Sequence, residues 1–94
     1  MYEIATFRLR EGVSEDEFLA ADARVQTEFY YQQDGLMRRT VARGTDGEWL
    51  EMTHWATHEA PDRAADAAKD DPNHQAFTSL VERRHIGRYE PLPG

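Results

Sequence analysis

A chain of 94 residues suffices for one compact domain and is too short for two, since domains usually run to roughly 50–250 residues. Hydrophobic residues at 39% and charged residues at 31% are ordinary globular proportions, which exclude a disordered tail or a fibrous repeat. Eighteen acidic against eleven basic residues give a net charge of −7, which argues against nucleic acid as a partner, and the absence of cysteine excludes disulfides, iron–sulfur clusters, thiolate zinc sites and cysteine nucleophiles.

Tyr2 to Leu9 alternates as a strand, with Tyr2, Ile4 and Thr6 on one face and Ala5, Phe7 and Leu9 on the other, so both faces carry apolar groups. Ser14-Glu15-Asp16-Glu17 has the form of a capping box and predicts a helix start. Phe18, Ala21, Val25 and Phe29 then recur at helical spacing, and Asp34-Gly35 predicts the stop. Leu36–Arg43 and Trp49–Ala56 read as two strands of a hairpin turned at Asp46-Gly47. The second of them places Trp49, Glu51, Thr53 and Trp55 on one face and Leu50, Met52, His54 and Ala56 on the other. Residues 59–69 form an alanine-rich helix whose small side chains would lie close to a sheet or leave a gap beneath it. Asp71-Pro72 starts a second helical piece, expected to run through Phe77, Leu80 and Val81. His85–Glu90 reads as the last strand, and residues 91–94 as a tail.

The order βαββαβ predicts an α+β, ferredoxin-like plait: one domain over residues 1–94, with a four-stranded antiparallel sheet and the helices on one face. Because the strands are apolar on both faces, the uncovered face calls for a partner, and a homodimer with the two sheets face to face satisfies it. No apolar run approaches the ~18 residues of a membrane span, and Met1-Tyr2-Glu3-Ile4-Ala5 does not read as a signal peptide, so a cytoplasmic protein with no membrane partner is expected.

The chain resembles the dimeric α+β barrel superfamily, in particular its antibiotic-biosynthesis-monooxygenase-like group. The resemblance spans almost the whole length and rests on the element order, Gln33-Asp34-Gly35-Leu36, the strand end His54-Trp55-Ala56-Thr57-His58-Glu59-Ala60, and Asp71-Pro72-Asn73-His74. It implies a small apolar cavity between helices and sheet, in which some members oxygenate phenolic compounds without a cofactor and others cleave heme. It aligns Trp55 and His74 with a strand-ending tryptophan and a helical histidine of the family, while Thr53 and Ala64 stand where an acid and a histidine are common.

The residues themselves offer several candidates. His74 sits at the third helical position after Asp71, where the positive helix end favours a neutral imidazole able to act as a base; the plain alternative is a half-exposed polar histidine. Trp49 and Trp55 flank Glu51 on one strand face. If that face meets the helices, the pair floors an apolar slot, and a desolvated Glu51 could serve as base. The competing reading is a packed aromatic core with Glu51 answered by Arg38, Arg39 or Arg43. His54 is a reserve base or a hydrogen-bonded histidine of the interface or core. His54 and His58 sit ~13 Å apart on a strand at ~3.3 Å per residue, too far for one metal ion. At most one of Tyr30 and Tyr31 can join the buried stripe, where its phenol would donate to a ligand. Phe77 completes the expected apolar wall. Arg8, Arg10, Arg83, Arg84 and Arg88 could clamp an anion, although ten arginines against one lysine also mark a compositional bias.

No phosphate loop, nucleophile elbow or zinc spacing occurs. The leading expectation is therefore a cofactor-independent, monooxygenase-like enzyme acting on a small aromatic or enolisable molecule. The catalytic candidates are His74, Glu51 and His54, with Trp55, Trp49, Tyr30 and Phe77 as binding residues and neither metal nor cofactor. The alternatives are a non-catalytic dimeric module that binds a small apolar ligand or serves as a stress-related scaffold, and a heme-binding or heme-degrading relative using His74.

Overall fold

The computed structural model describes all residues 1–94. Strand β1 (Tyr2–Leu9) leads to helix α1 (Glu15–Glu28), and a 3-10 turn (Tyr30–Gln32) leads to the hairpin β2 (Leu36–Arg43) and β3 (Glu48–Trp55). Helices α2 (Ala60–Ala68) and α3 (Pro72–Ser79) precede β4 (Val81–Tyr89). The sheet order is β2-β3-β1-β4 and every pairing is antiparallel, as the ferredoxin-like plait requires.

Local chemistry sets these boundaries. The Glu17 amide donates to Ser14 Oγ at 3.1 Å and the His74 amide to Asp71 Oδ2 at 2.7 Å, so two helix starts carry side-chain caps. Asp46 and Gly47 both have positive φ, 55° and 78°, the two left-handed residues of a mirror-image hairpin turn. Two expected boundaries are corrected. Helix α1 ends at Glu28 rather than at Gly35, because the chain tightens at Phe29 into the 3-10 turn, where the Gln32 amide donates to the Phe29 carbonyl. The second correction moves Val81 from the helical piece to the strand: β4 begins there, four residues before His85, and pairs Val81 with Leu9. Gly35 has φ +85°, and a Cβ there would stand 2.8 Å from the Ala60 side chain, so only glycine lets this loop pass beneath α2.

The helices cover one face of the sheet. Ala5 and Phe7 of β1 and Trp49, Glu51, Thr53 and Trp55 of β3 are buried beneath them. Phe7, Phe18, Val25, Phe29, Trp49 and Phe77 belong to one core, in which the Phe18 ring lies 4.8 Å from Trp49 and 5.6 Å from both Phe7 and Phe77. Full burial of one such side chain contributes ~1.5–3 kcal/mol, so this cluster anchors α1 and α3 to the sheet. Trp55, Ala60 and Ala64 form a second cluster beneath α2. On the opposite face Tyr2, Ile4, Leu50, Met52 and His54 remain half-exposed, and no helix packs there.

Candidate functional site

Between the two clusters the packing opens. Helix α2 turns Ala60, Ala64 and Ala68 inward; Ala60 and Ala64 pack on Trp55, and because these side chains are short a cavity of about 230 Å³ remains beside them. Its walls come from every layer: Ala5, Glu51, Thr53 and Trp55 of the sheet, Ala64 and Ala68 of α2, His74 of α3, and Phe29 and Tyr30 at the end of α1. The volume lies below the ~300–1,000 Å³ of drug-sized pockets, which restricts a ligand to a small ring system.

Tyr30 and His74 meet at this cavity from elements 44 positions apart, with the hydroxyl 3.3 Å from Nε2. The 3-10 turn buries Tyr30 to 8% exposure while Tyr31 is left at 58%. Burial, reinforced by the Glu51 charge, pushes the Tyr30 phenol far above its ordinary value and keeps it protonated. Burial also lowers the His74 pKa, as do the Arg83 and Arg39 charges, while the Asp71 carboxylate opposes them. Phe29 adds an edge-on contact to the imidazole at 5.1 Å. A neutral imidazole thus faces a neutral phenol, a proton acceptor beside a hydrogen-bond donor.

The remaining polar groups are mostly answered within the protein. Arg39, whose side chain is fully buried, donates from Nε to Glu51 at 2.9 Å and from NH2 to Asp22 at 2.7 Å, and NH1 reaches Gln26 at 3.3 Å. Its guanidinium also lies 4.7 Å from the Tyr30 ring centroid, so the ion network backs the phenol. The Trp55 indole donates to Thr53 Oγ1 at 2.8 Å, which fixes the ring as cavity floor. No buried side-chain nitrogen or oxygen is left without a partner.

Of the seven catalytic and binding candidates singled out from the sequence, the cavity brings together Tyr30, Glu51, Trp55 and His74, joined by Arg83 and Arg88 of the possible anion clamps. The other three of the seven lie elsewhere. Trp49 shares a strand face with Trp55, but the two are six residues apart, and Trp49 packs into the aromatic core, so the pair is not one slot. Phe77 is in that core as well, 2% exposed, one helical turn beyond His74. His54 lies on the outer sheet face, as strand alternation demands, stacked on Tyr2 at 4.3 Å between ring centroids. Glu51 lines the cavity as a carboxylate already paired with Arg39 rather than as a lone desolvated acid.

Asp22 and Gln26 were not legible as partners of Arg39. Their only trace in the sequence is a four-residue spacing beside Ala21 and Val25 on the α1 stripe.

No family model and no curated protein match the chain. Solved structures do match its fold. The cofactor-independent oxygenase SnoaB from Streptomyces nogalater superposes with a TM-score of 0.77 at 21% identity, covering 97% of this chain and 93% of that one. A protein provisionally described as an antibiotic biosynthesis monooxygenase, from Chloroflexus aurantiacus, gives 0.69 at 17% identity over 99% and 93% of the two chains. Rv0793 from Mycobacterium tuberculosis gives 0.64 at 19% identity over 99% and 95%. The chain has the ferredoxin-like fold of the antibiotic biosynthesis monooxygenase-like proteins.

Proposed function

We propose that the protein is a cofactor-independent, monooxygenase-like enzyme acting on a small aromatic or enolisable substrate held against Trp55 in the α2 cavity. The observation that carries this reading is the Tyr30–His74 pair, a neutral base and a neutral phenol 3.3 Å apart at an otherwise mostly apolar site. The shared fold with an oxygenase named as cofactor-independent supports it.

The chemistry asks little of the protein. His74 Nε2 accepts a proton from an activated CH₂ or phenol of the substrate, and the Tyr30 hydroxyl donates to the oxyanion that forms. An electron-rich anion of this kind reduces dioxygen itself. Conversion of CH₂ to C=O supplies four electrons, which leave one oxygen atom in the substrate and the other in water. The proton held on His74 returns when water departs. Trp55 and the α2 alanines keep the anion from bulk water, and Arg39 positions Tyr30 from behind.

The active form in this reading is a homodimer joined through the outer sheet faces, which covers Tyr2, Ile4, Leu50 and Met52. Oxygen uptake with anthrone, an enolisable aromatic methylene compound, tests the assignment. Catalysed uptake over the spontaneous rate, yielding the quinone and lost in His74→Ala, is the expected result. A rate equal to the buffer blank would reduce the protein to a binding module.

A further inference from the structure

Four charged side chains line the cavity besides His74: Glu3, Glu51, Arg83 and Arg88. Three are neutralised internally. Glu51 is paired with Arg39, and Glu3 accepts from Arg88 Nε at 3.0 Å while Arg88 NH2 reaches Asp62 at 2.7 Å. Arg83 alone makes no ion pair or hydrogen bond, although its neighbour Arg84 has Glu82 at 3.5 Å.

The backbone also sets Arg83 on the helix-covered face of the sheet. β4 pairs Phe7 with Arg83 but Thr6 with His85, so Arg84 is an extra residue, a bulge opposite the Thr6–Phe7 step. Phe7 and Ala5 both face the helices, and their register partners Arg83 and Ile86 lie on that same face of the sheet, where they line the cavity from its exposed side, Ile86 at 48% exposure. A regular strand would send residues 83 and 86, three apart, to opposite faces. The bulge thus places an unpaired guanidinium and an apolar side chain on the same wall, within electrostatic reach of His74 and Tyr30.

We infer that Arg83 binds the carboxylate of a small aromatic acid whose ring occupies the cavity between Trp55 and Phe29. The inference takes the cavity as the ligand site of the function proposed above. A planar guanidinium grips a carboxylate through two parallel N–H···O bonds, a geometry that also orients the attached ring toward the Tyr30–His74 pair. A monoanion matches the single free cation, whereas a phosphate dianion would face Glu3, Glu51 and a chain of net charge −7 with only one counter-charge.

Titration calorimetry at pH 7 with 2-naphthoate and with neutral 2-naphthol separates the carboxylate from the ring. The wild-type chain is expected to bind 2-naphthoate more tightly. Arg83→Gln should weaken naphthoate about tenfold while leaving naphthol unchanged, the worth of one charge-assisted contact, and Arg83→Lys should recover part of the loss. Equal binding of the two probes, equal effects of Arg83→Gln on both, or no binding of either to the wild type would overturn the inference. Its failure is distinct from that of the oxygenase reading. Naphthoate binding through Arg83 without oxygen uptake removes the reaction and leaves the acid site, and uptake from anthrone without naphthoate preference does the reverse.

Discussion

The Tyr30 hydroxyl and His74 Nε2, 3.3 Å apart, tie the 3-10 turn after α1 to the first turn of α3 at the cavity wall. Because the base and the donor act on different atoms of the substrate, their removal should have different signatures. His74→Ala should lower kcat by about 10²–10⁴, the usual contribution of a positioned base. Tyr30→Phe should cost about 10²–10³, the worth of one oxyanion donor. Initial rates of oxygen uptake check both, and unchanged thermal melting would show that the loss is chemical.

The pH dependence follows from the direction of the His74 shift. Its folded pKa lies below the ordinary 6.5, chiefly through burial and then through the Arg83 charge. The neutral base therefore persists at pH values where a free histidine is protonated, and the acid limb of kcat/KM should fall below pH 6.5. Stability has the matching sign. Above pH 6.5 neither state holds the proton, but between 6.5 and the folded value the unfolded chain binds it more, so acidification through that window destabilises the fold. Removing the cation in Arg83→Gln should move the His74 titration upward, which NMR of the imidazole Hε1 resolves. An unmoved midpoint would mean that Arg83 does not act on His74.

Arg39 is buried with two carboxylates and a glutamine around its guanidinium. Such a pair adds little over an apolar replacement, but breaking it leaves a buried charge. Arg39→Ala should therefore destabilise the protein by about 3–5 kcal/mol, whereas Arg39→Met combined with Glu51→Leu should recover most of that loss. Urea denaturation of the single and double variants measures the difference. Near-additive losses would show that Arg39 and Glu51 are not energetically coupled.

Alternation and capping made most of the fold legible in the sequence. Period-two patterning in β1 and β3, the Ser14 and Asp71 caps and the Asp46-Gly47 turn each act within a few residues, and each stands in the structure. Tyr30, Glu51, Trp55 and His74 could be named as site candidates because residue type and strand face mark them. The rest depended on contacts without local trace. Trp49 and Trp55 share a face, yet α1 and α3 pack over one and α2 over the other, and only the tertiary arrangement separates the core from the cavity. The bulge that sets Arg83 and Ile86 on one face of the sheet is equally silent, since Glu82-Arg83-Arg84-His85 carries no glycine or other mark of an extra residue. Glu51 had three possible arginine partners on the hairpin, Arg38, Arg39 and Arg43, and it is Arg39, held also by Asp22 and Gln26 of α1, that pairs with it.

The outer sheet face supplies the last prediction. Ile4 pairs with Met52, and Thr6 with Leu50, so apolar side chains from the two central strands run side by side over Tyr2 and His54 without a covering element. Exposed in a monomer, that surface would lose hydrophobic stabilisation at ~25 cal/mol per Å² of apolar area; covered by a second copy, it also shields the sheet from adventitious pairing. Sedimentation equilibrium at micromolar concentration should give twice the chain mass. Met52→Asp would place a carboxylate in the contact, once from each subunit, and should shift the protein to monomer, with a lower melting temperature that no longer depends on protein concentration. Oxygen uptake measured on that monomer then shows whether the cavity, which lies on the other side of the sheet, works without the partner. A wild-type chain that sediments as a monomer would instead assign the apolar face to some other covering.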